Sequence, residues 1–169
     1  EHKHFLAWLL VRIKEQQPDA LLIAGDIFDN GNPSAAAQSA YYEFLADATE
    51  TCPDMNVVII AGNHDSASRL EAPRALLTRY KVEIRGNIHR SWVANKDGGN
   101  WVINYDDLII PINGGDGSQA IVLTVPYLRS DVVQNANYSD GVNTILRELT
   151  DRARGKYSDS PLIMMAHMY

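Results

Sequence analysis

The sequence contains one cysteine in 169 residues, Cys52, so no disulfide can form within the chain. Such sparing cysteine use is expected of a reducing compartment, and the cytoplasm is the expected location. Positive charge is also scarce: 15 Lys and Arg stand against 21 Asp and Glu, a formal net charge of −6. That balance argues against the broad cationic surface by which proteins grip nucleic acid non-specifically. It leaves a phosphodiester substrate open, because bound divalent ions bring charge that a residue count omits. No apolar run approaches the roughly 18 residues of a membrane span, and no signal-peptide pattern is present. A Gly-x-x-x-x-Gly-Lys-Ser/Thr motif is missing, which disfavours a P-loop. Internal repeats and low-complexity tracts are absent as well.

What is present is ordinary for a folded domain: 46% hydrophobic and 21% charged residues, in a chain long enough for one sizeable core. Phe5, Leu6, Leu9, Leu10 and Ile13 recur at helical spacing, and Pro18 should end that helix. Residues 20–24 form an apolar strand without polar alternation, as when helices cover both faces of a sheet. Ser34 is placed to cap a helix from about Ala35 to Thr49, and residues 56–61 follow as a second strand. Pro73 can open a short helix through Tyr80, with a short strand at Val82 to Arg85. From Trp92 to Pro126, short apolar runs alternate with the turn clusters Asp97–Asn100 and Asn113–Ser118, which predicts antiparallel hairpins. A helix over about Asp140 to Arg154 and a strand at 162–166 complete the pattern. The expected fold class is α/β, with two packed mixed sheets flanked by helices.

Three of these strands end in chemistry. Ala20–Ala24 runs into Gly25-Asp26-Ile27-Phe28-Asp29, Asn56–Ile60 into Ala61-Gly62-Asn63-His64-Asp65, and Leu162–Ala166 into His167. In open α/β sheets, ligands bind at the carboxyl ends of the strands. A carboxylate such as Asp26 has two oxygens and can bridge two cations, as a two-metal phosphodiester site requires. Read alone, Gly-Asp is far more often a turn or cap, and Gly-Asn-His-Asp has a bland reading as a polar loop. Two such loops after two apolar strands make the bland reading the poorer one. Asn63 offers an amide oxygen to a hard cation, and His167 a neutral imidazole. His64 could protonate a leaving alkoxide, and Asp29, if it reaches the ring, would orient it and favour its charged form. Asp65 reads as a loop cap, and His2, His4 and His89 read as surface residues.

Gly25–Asp29 and Gly62–Asp65 resemble the Gly-Asp-x-x-Asp and Gly-Asn-His-Asp/Glu signatures of the calcineurin-like metallophosphoesterases. Ser68–Pro73 and Val125–Arg129 are similar to sequences of one branch, the bacterial nuclease subunits that work with an SbcC-type ATPase. The resemblance runs nearly the whole length. It implies Asp26 as bridging metal ligand, Asn63 and His167 as further metal ligands, His64 as the catalytic histidine and Asp29 as its partner. It also implies two divalent ions, Mn²⁺ with Mg²⁺ as the alternative, and a homodimer acting on DNA ends and hairpins. The family's Asp-x-His and Gly-His-x-His motifs would fall before Glu1 and after Tyr169. Residues 1–169 are therefore expected to be a metallophosphoesterase domain incomplete at both ends, a fragment with a partial metal site.

Two other readings use the same residues. A small-substrate phosphodiesterase or phosphatase would need the same ligands, and only the 69–73 and 126–129 stretches favour DNA over it. A non-catalytic scaffold would keep the fold with an incomplete metal site. The homodimer has one further hint: the helix carrying Tyr41, Tyr42, Phe44 and Leu45 is more aromatic than a single buried face requires.

Overall fold

In the computed structural model of the protein, residues 2–94, 96, 98–133 and 137–168 are described. Helix α1 (His2–Gln16) leads into strand β1 (Ala20–Ala24), and α2 (Ala35–Thr51) into β2 (Asn56–Ile60). Short helices α3 (Ala67–Glu71) and α4 (Arg74–Leu77) and a 3₁₀ turn at Thr78–Tyr80 precede β3 (Val82–Arg85). Strands β4 (Arg90–Val93) and β5 (Asn100–Ile103) form a ribbon, whose expected turn residue Asp97 lies outside the described residues. A second 3₁₀ turn, Tyr105–Leu108, opens the hairpin of β6 (Ile109–Asn113) and β7 (Gln119–Val125). Helices α5 (Ser130–Val133) and α6 (Tyr138–Lys156) and strand β8 (Leu162–Ala166) follow.

Strands β1, β2 and β3 pair in parallel in that order, while β7 pairs antiparallel with β6 and parallel with β8. The two three-stranded sheets are packed together, and helices cover their outer faces. Strand β2 shows the reason in its sequence. Successive side chains of a strand point to opposite faces. Val57 and Ile59 enter the core beneath α1 and α2, whereas Val58 and Ile60 meet Ile110, Ile112, Val122 and Met165 of the second sheet. Strand β7 does the same in reverse: Ile121, Leu123 and Val125 face α6, and Val122 faces the first sheet. A strand buried on both faces cannot alternate apolar with polar residues. The first sheet is covered by helices on one face and by the second sheet on the other, in agreement with the expected pair of packed sheets flanked by helices rather than with helices on both faces. Both arrangements produce the same apolar run.

The helices are capped as their sequences suggest. The Ser34 hydroxyl accepts from the Ala37 N–H at 3.2 Å, and the Asn137 side chain accepts from the Asp140 N–H at 3.3 Å. Helix α6 buries Val142, Ile145, Leu149 and Ala153 at the spacing of one helical face. In α1, Leu6, Leu9, Leu10 and Ile13 join the core, but Phe5 is exposed and stacks on Trp8. At about 100° per residue, Phe5 falls roughly 90° from the centre of that stripe. In α2, Tyr41, Phe44 and Leu45 are all buried, and Tyr42 alone of the four is exposed. Most of the aromatic excess in that helix therefore serves the core.

Candidate active site

Three chain segments meet beyond the carboxyl ends of β1, β2 and β8. Two glycines permit it. Gly25 has φ +87°, and a Cβ there would collide with the His167 ring. A Cβ at Gly62 would collide with the Asp26 carboxylate and main chain. Neither position can carry a side chain while the loops approach this closely. Asp26 itself has φ +50°, a left-handed conformation that Asp tolerates better than most residues but still at some cost in energy. Strain of this kind persists where the surroundings hold it in place.

Asp65 is the clamp. Its carboxylate accepts from the Gly62 N–H at 2.8 Å within its own loop, and from Ile27 and Phe28 N–H at 3.1 and 3.0 Å in the other. Three bonds to one charged acceptor tie the Gly25–Asp29 and Gly62–Asp65 turns into a unit. The His64 N–H adds a fourth tie, donating to Asp26 Oδ1 at 3.2 Å. The third segment is secured through main chain: Tyr127 N–H donates to the Ala61 carbonyl, and His167 N–H to the Val125 carbonyl. The Tyr127 ring meets the His167 ring edge to face.

Within this frame Asp26, Asn63 and His167 come together. His167 Nδ1 lies 2.9 Å from the Ala24 carbonyl, which can only accept, so Nδ1 carries the proton. In the neutral ring Nε2 then presents its lone pair, 3.0 Å from Asn63 Oδ1 and 3.7 Å from Asp26 Oδ1. Nitrogen and both oxygens are acceptors, so a cation seated among them would satisfy all three. Anchoring the far nitrogen of an imidazole on a carbonyl is the usual support for a metal-ligating histidine. The donors present therefore fit a divalent ion with a mixed oxygen and nitrogen preference. Among the described residues, no three His, Cys, Asp or Glu side chains cluster as a metal site; the trio here depends on an amide.

His64 is placed differently from the expectation. Its Nδ1 lies 2.9 Å from the main-chain carbonyl of Asp29, so Asp29 seats the ring through its backbone. The carbonyl accepts from Nδ1–H, as a carboxylate would, and so fixes the orientation of the ring. His64 and Asp29 are both exposed, at the open side of the cleft. Sequence reasoning also missed part of the frame. The Ala24 carbonyl and the Tyr127 contact with Ala61 are main-chain features that no residue type announces. His89, read as a surface residue, is exposed but lies 3.2 Å from Glu71, which also accepts from Gly86 and Asn87 N–H and fastens the segment after β3.

Comparison with known proteins agrees with this geometry. The model of the calcineurin-like phosphoesterase family matches residues 2–167. The chain is 35% identical over 179 aligned residues to the SbcD component of nuclease SbcCD from Rhodobacter capsulatus, covering 99% of this chain and 42% of that protein. It is 28% identical to the SbcD component of nuclease SbcCD from Escherichia coli, covering 99% of this chain and 41% of that protein. A probable cyclic nucleotide phosphodiesterase of Synechococcus is 40% identical over 60 residues, 34% of this chain. The chain thus spans about two fifths of the length of the two nuclease components. A matched family model over almost every residue, and a fold whose strand ends bring Asp26, Asn63 and His167 together, lead to one conclusion: the chain belongs to the calcineurin-like phosphoesterases.

Proposed function

We propose that residues 1–169 are part of the nuclease domain of a metal-dependent enzyme that hydrolyses DNA phosphodiesters at ends and hairpins. The observation that carries this reading is the trio of acceptors at Asp26 Oδ1, Asn63 Oδ1 and His167 Nε2. These residues would hold a divalent cation, Mn²⁺ in preference to Mg²⁺ because a nitrogen is among the ligands. Two such ions are proposed for the whole enzyme, and Asp26 would be among the residues that hold them. Such ions, when bound, neutralise charge developing on the phosphoryl oxygens and acidify a water. The chain's own part is to orient and to move protons. Asp65 fixes the two loops, and the Asp29 carbonyl holds His64 Nδ1, which leaves Nε2 to meet the substrate. In its doubly protonated form, with Nδ1–H on the Asp29 carbonyl, His64 would pass its Nε2 proton to the leaving oxygen as the phosphorus–oxygen bond breaks and be left as the neutral Nδ1–H ring, or would donate that hydrogen bond to the phosphate.

DNA is favoured over a small phosphoester because the similarity to nuclease components covers 99% of this chain, against 34% for the phosphodiesterase. An SbcC-type ATPase is the proposed partner, and the cytoplasm the proposed site of action. No helix of the described residues is long and apolar enough to cross a membrane. A homodimer is also proposed, through the groove where exposed Tyr42 and Tyr80 stand beside Leu77. Light scattering that finds a monomer at working concentration removes the dimer alone. The central test uses the full-length protein with Mn²⁺ on linear and hairpin DNA and on a chromogenic phosphodiester. Cleavage of both DNA forms is expected; hydrolysis of the small ester with DNA left intact turns the reading to a small-substrate phosphodiesterase. Failure on every substrate, with no metal bound, leaves the scaffold.

A further inference from the structure

Among the described residues, most arginines with a side-chain partner face a carboxylate. Arg74 bonds Asp107, Arg85 meets Glu83 and Asp107, Arg12 meets Glu15, and Arg152 bonds Asp106. Arg69 differs. Its guanidinium donates to Asn32 Oδ1 at 3.1 Å, across 37 residues of sequence. A neutral amide holds the group in place and leaves its charge uncompensated.

The location gives that charge a use. Arg69 lies on α3, four residues after Asp65, and Asn32 lies three residues after Asp29. Three residues of chain reach at most about 11 Å, so Asn32 cannot be far from the His64 ring that Asp29 seats. The turn between them is closed by the Asn32 N–H donating to Asn30 Oδ1 at 3.0 Å. Gly31 in that turn lies against Ser66 and the His64 carbonyl. Asn32 and Arg69 therefore form a shelf on the His64 side of the cleft. On a chain of net charge −6, a positioned cation at the mouth of a site built from acceptors is an exception to the general repulsion of anions.

We propose that Arg69, held by Asn32, binds a phosphate of a nucleotide next to the scissile one, and so sets the preference of the site for polynucleotide over small phosphoesters. Guanidinium groups pair with phosphate through two parallel N–H donors, which suits a backbone contact that carries no base sequence. A small ester has a single phosphate, and that phosphate occupies the reacting position. Arg129 is a weaker candidate because Asp131 lies 3.5 Å from it.

This inference rests on the nuclease reading above, and the experiment separates the two. The full-length protein, with Arg69→Gln and Arg69→Lys variants, is measured for binding of a labelled hairpin oligonucleotide in EDTA. Steady-state cleavage of the same oligonucleotide and of a chromogenic phosphodiester is then measured with Mn²⁺. Arg69→Gln is expected to raise the DNA Kd and KM about five- to tenfold, the worth of one charge-assisted contact, with a much smaller change in kcat. The slope of log Kd against log salt should fall by about 1, and Arg69→Lys should restore it. Wild-type values for Kd, KM and salt slope in Arg69→Gln overturn the proposal and leave the nuclease reading standing. A loss confined to kcat, equal for DNA and the small ester, also overturns it, since that is the mark of a merely structural shift of the His64 loop. If the wild type neither binds nor cuts DNA, both readings fall together.

Discussion

Two charged clusters of this molecule are built on opposite terms. Around Asp107, opposite charges are matched: Arg74 donates to both carboxylate oxygens, Arg85 Nε donates to the Asp107 carbonyl, and Arg85 Nη1 bonds Glu83 at 2.9 Å. Arg85 is only 6% exposed, so this network ties β3 and α4 to the 3₁₀ turn that opens the second sheet. Around Asp26 no such matching of opposite charges is seen: its carboxylate and the Asn63 amide oxygen lie 3.7 and 3.0 Å from His167 Nε2, and the Asp26 backbone is left-handed. The first cluster is complete without a ligand and serves the fold. The second gathers Asp26 Oδ1 and Asn63 Oδ1 about His167 Nε2, the arrangement proposed above to hold a cation.

The largest effect that would expose this difference lies at the second cluster. In the full-length enzyme, Asp26→Asn should lower kcat/KM for DNA by about a thousandfold, roughly 4 kcal/mol of transition-state stabilisation. Denaturant midpoints should move little; a variant equally inactive and grossly unstable would erase the distinction. At the first cluster the pattern should invert. Asp107→Ala leaves the nearly buried Arg85 and the Arg74 guanidinium short of an acceptor and should cost about 2–3 kcal/mol of stability, measured by chemical denaturation. Metal should sharpen the contrast next. Mn²⁺ at a hundred times its Kd should stabilise the protein by about 2.7 kcal/mol, seen as a rise in Tm. His167→Ala should abolish that rise, whereas Asp107→Ala should keep it.

A smaller effect should separate the clusters in acid. Burial pushes the Asp107 carboxyl up, but the Arg74 hydrogen bond and the charges of Arg85 and Arg74 outweigh burial and leave it below the usual carboxylate range. A carboxyl depressed in the folded state contributes stability above its unfolded value of about 3.9, and loses it as pH falls through the folded value. Wild-type stability should therefore decline below about pH 4, and Asp107→Asn should flatten that limb from a lower starting point. An equally steep limb in the variant would assign acid lability elsewhere. The smallest effect is backbone strain: Asp26→Gly should stabilise the fold slightly, because it relieves about 1 kcal/mol of left-handed strain at φ +50° and gives part of that back to the greater freedom of glycine in the unfolded chain. A loss of stability instead would show that the Asp26 carboxylate, through the His64 N–H, does more for the fold than its strain costs.

Much of this architecture is legible in the sequence, for reasons that individual elements make plain. The bounds of β1, β2 and β8 can be read because uninterrupted β-branched and aliphatic runs break sharply at Gly25, Ala61-Gly62 and His167. Helix α2 can be read from its Ser34 cap. Phe5 misleads because hydrophobicity reports a preference for burial, while the helix's angular position decides what is buried. The short helix α3 carries little periodic signal in five residues, and Arg69 gains meaning only through Asn32, 37 residues away.

The sequence by itself determined which residues stand at strand ends: Asp26, Asn63, His64 and His167 each follow an apolar run, and local polarity suffices to read that. Only the tertiary structure decided what those residues do to one another. His167 belongs to the second sheet and Asp26 to the first, so their meeting depends on how the sheets stack. The His64 ring lies on the Asp29 carbonyl because two positive-φ residues, Gly25 and Asp26, redirect the turn that precedes it. Side-chain chemistry is written residue by residue, but the direction of a main-chain carbonyl is set by dihedral angles that long-range packing selects.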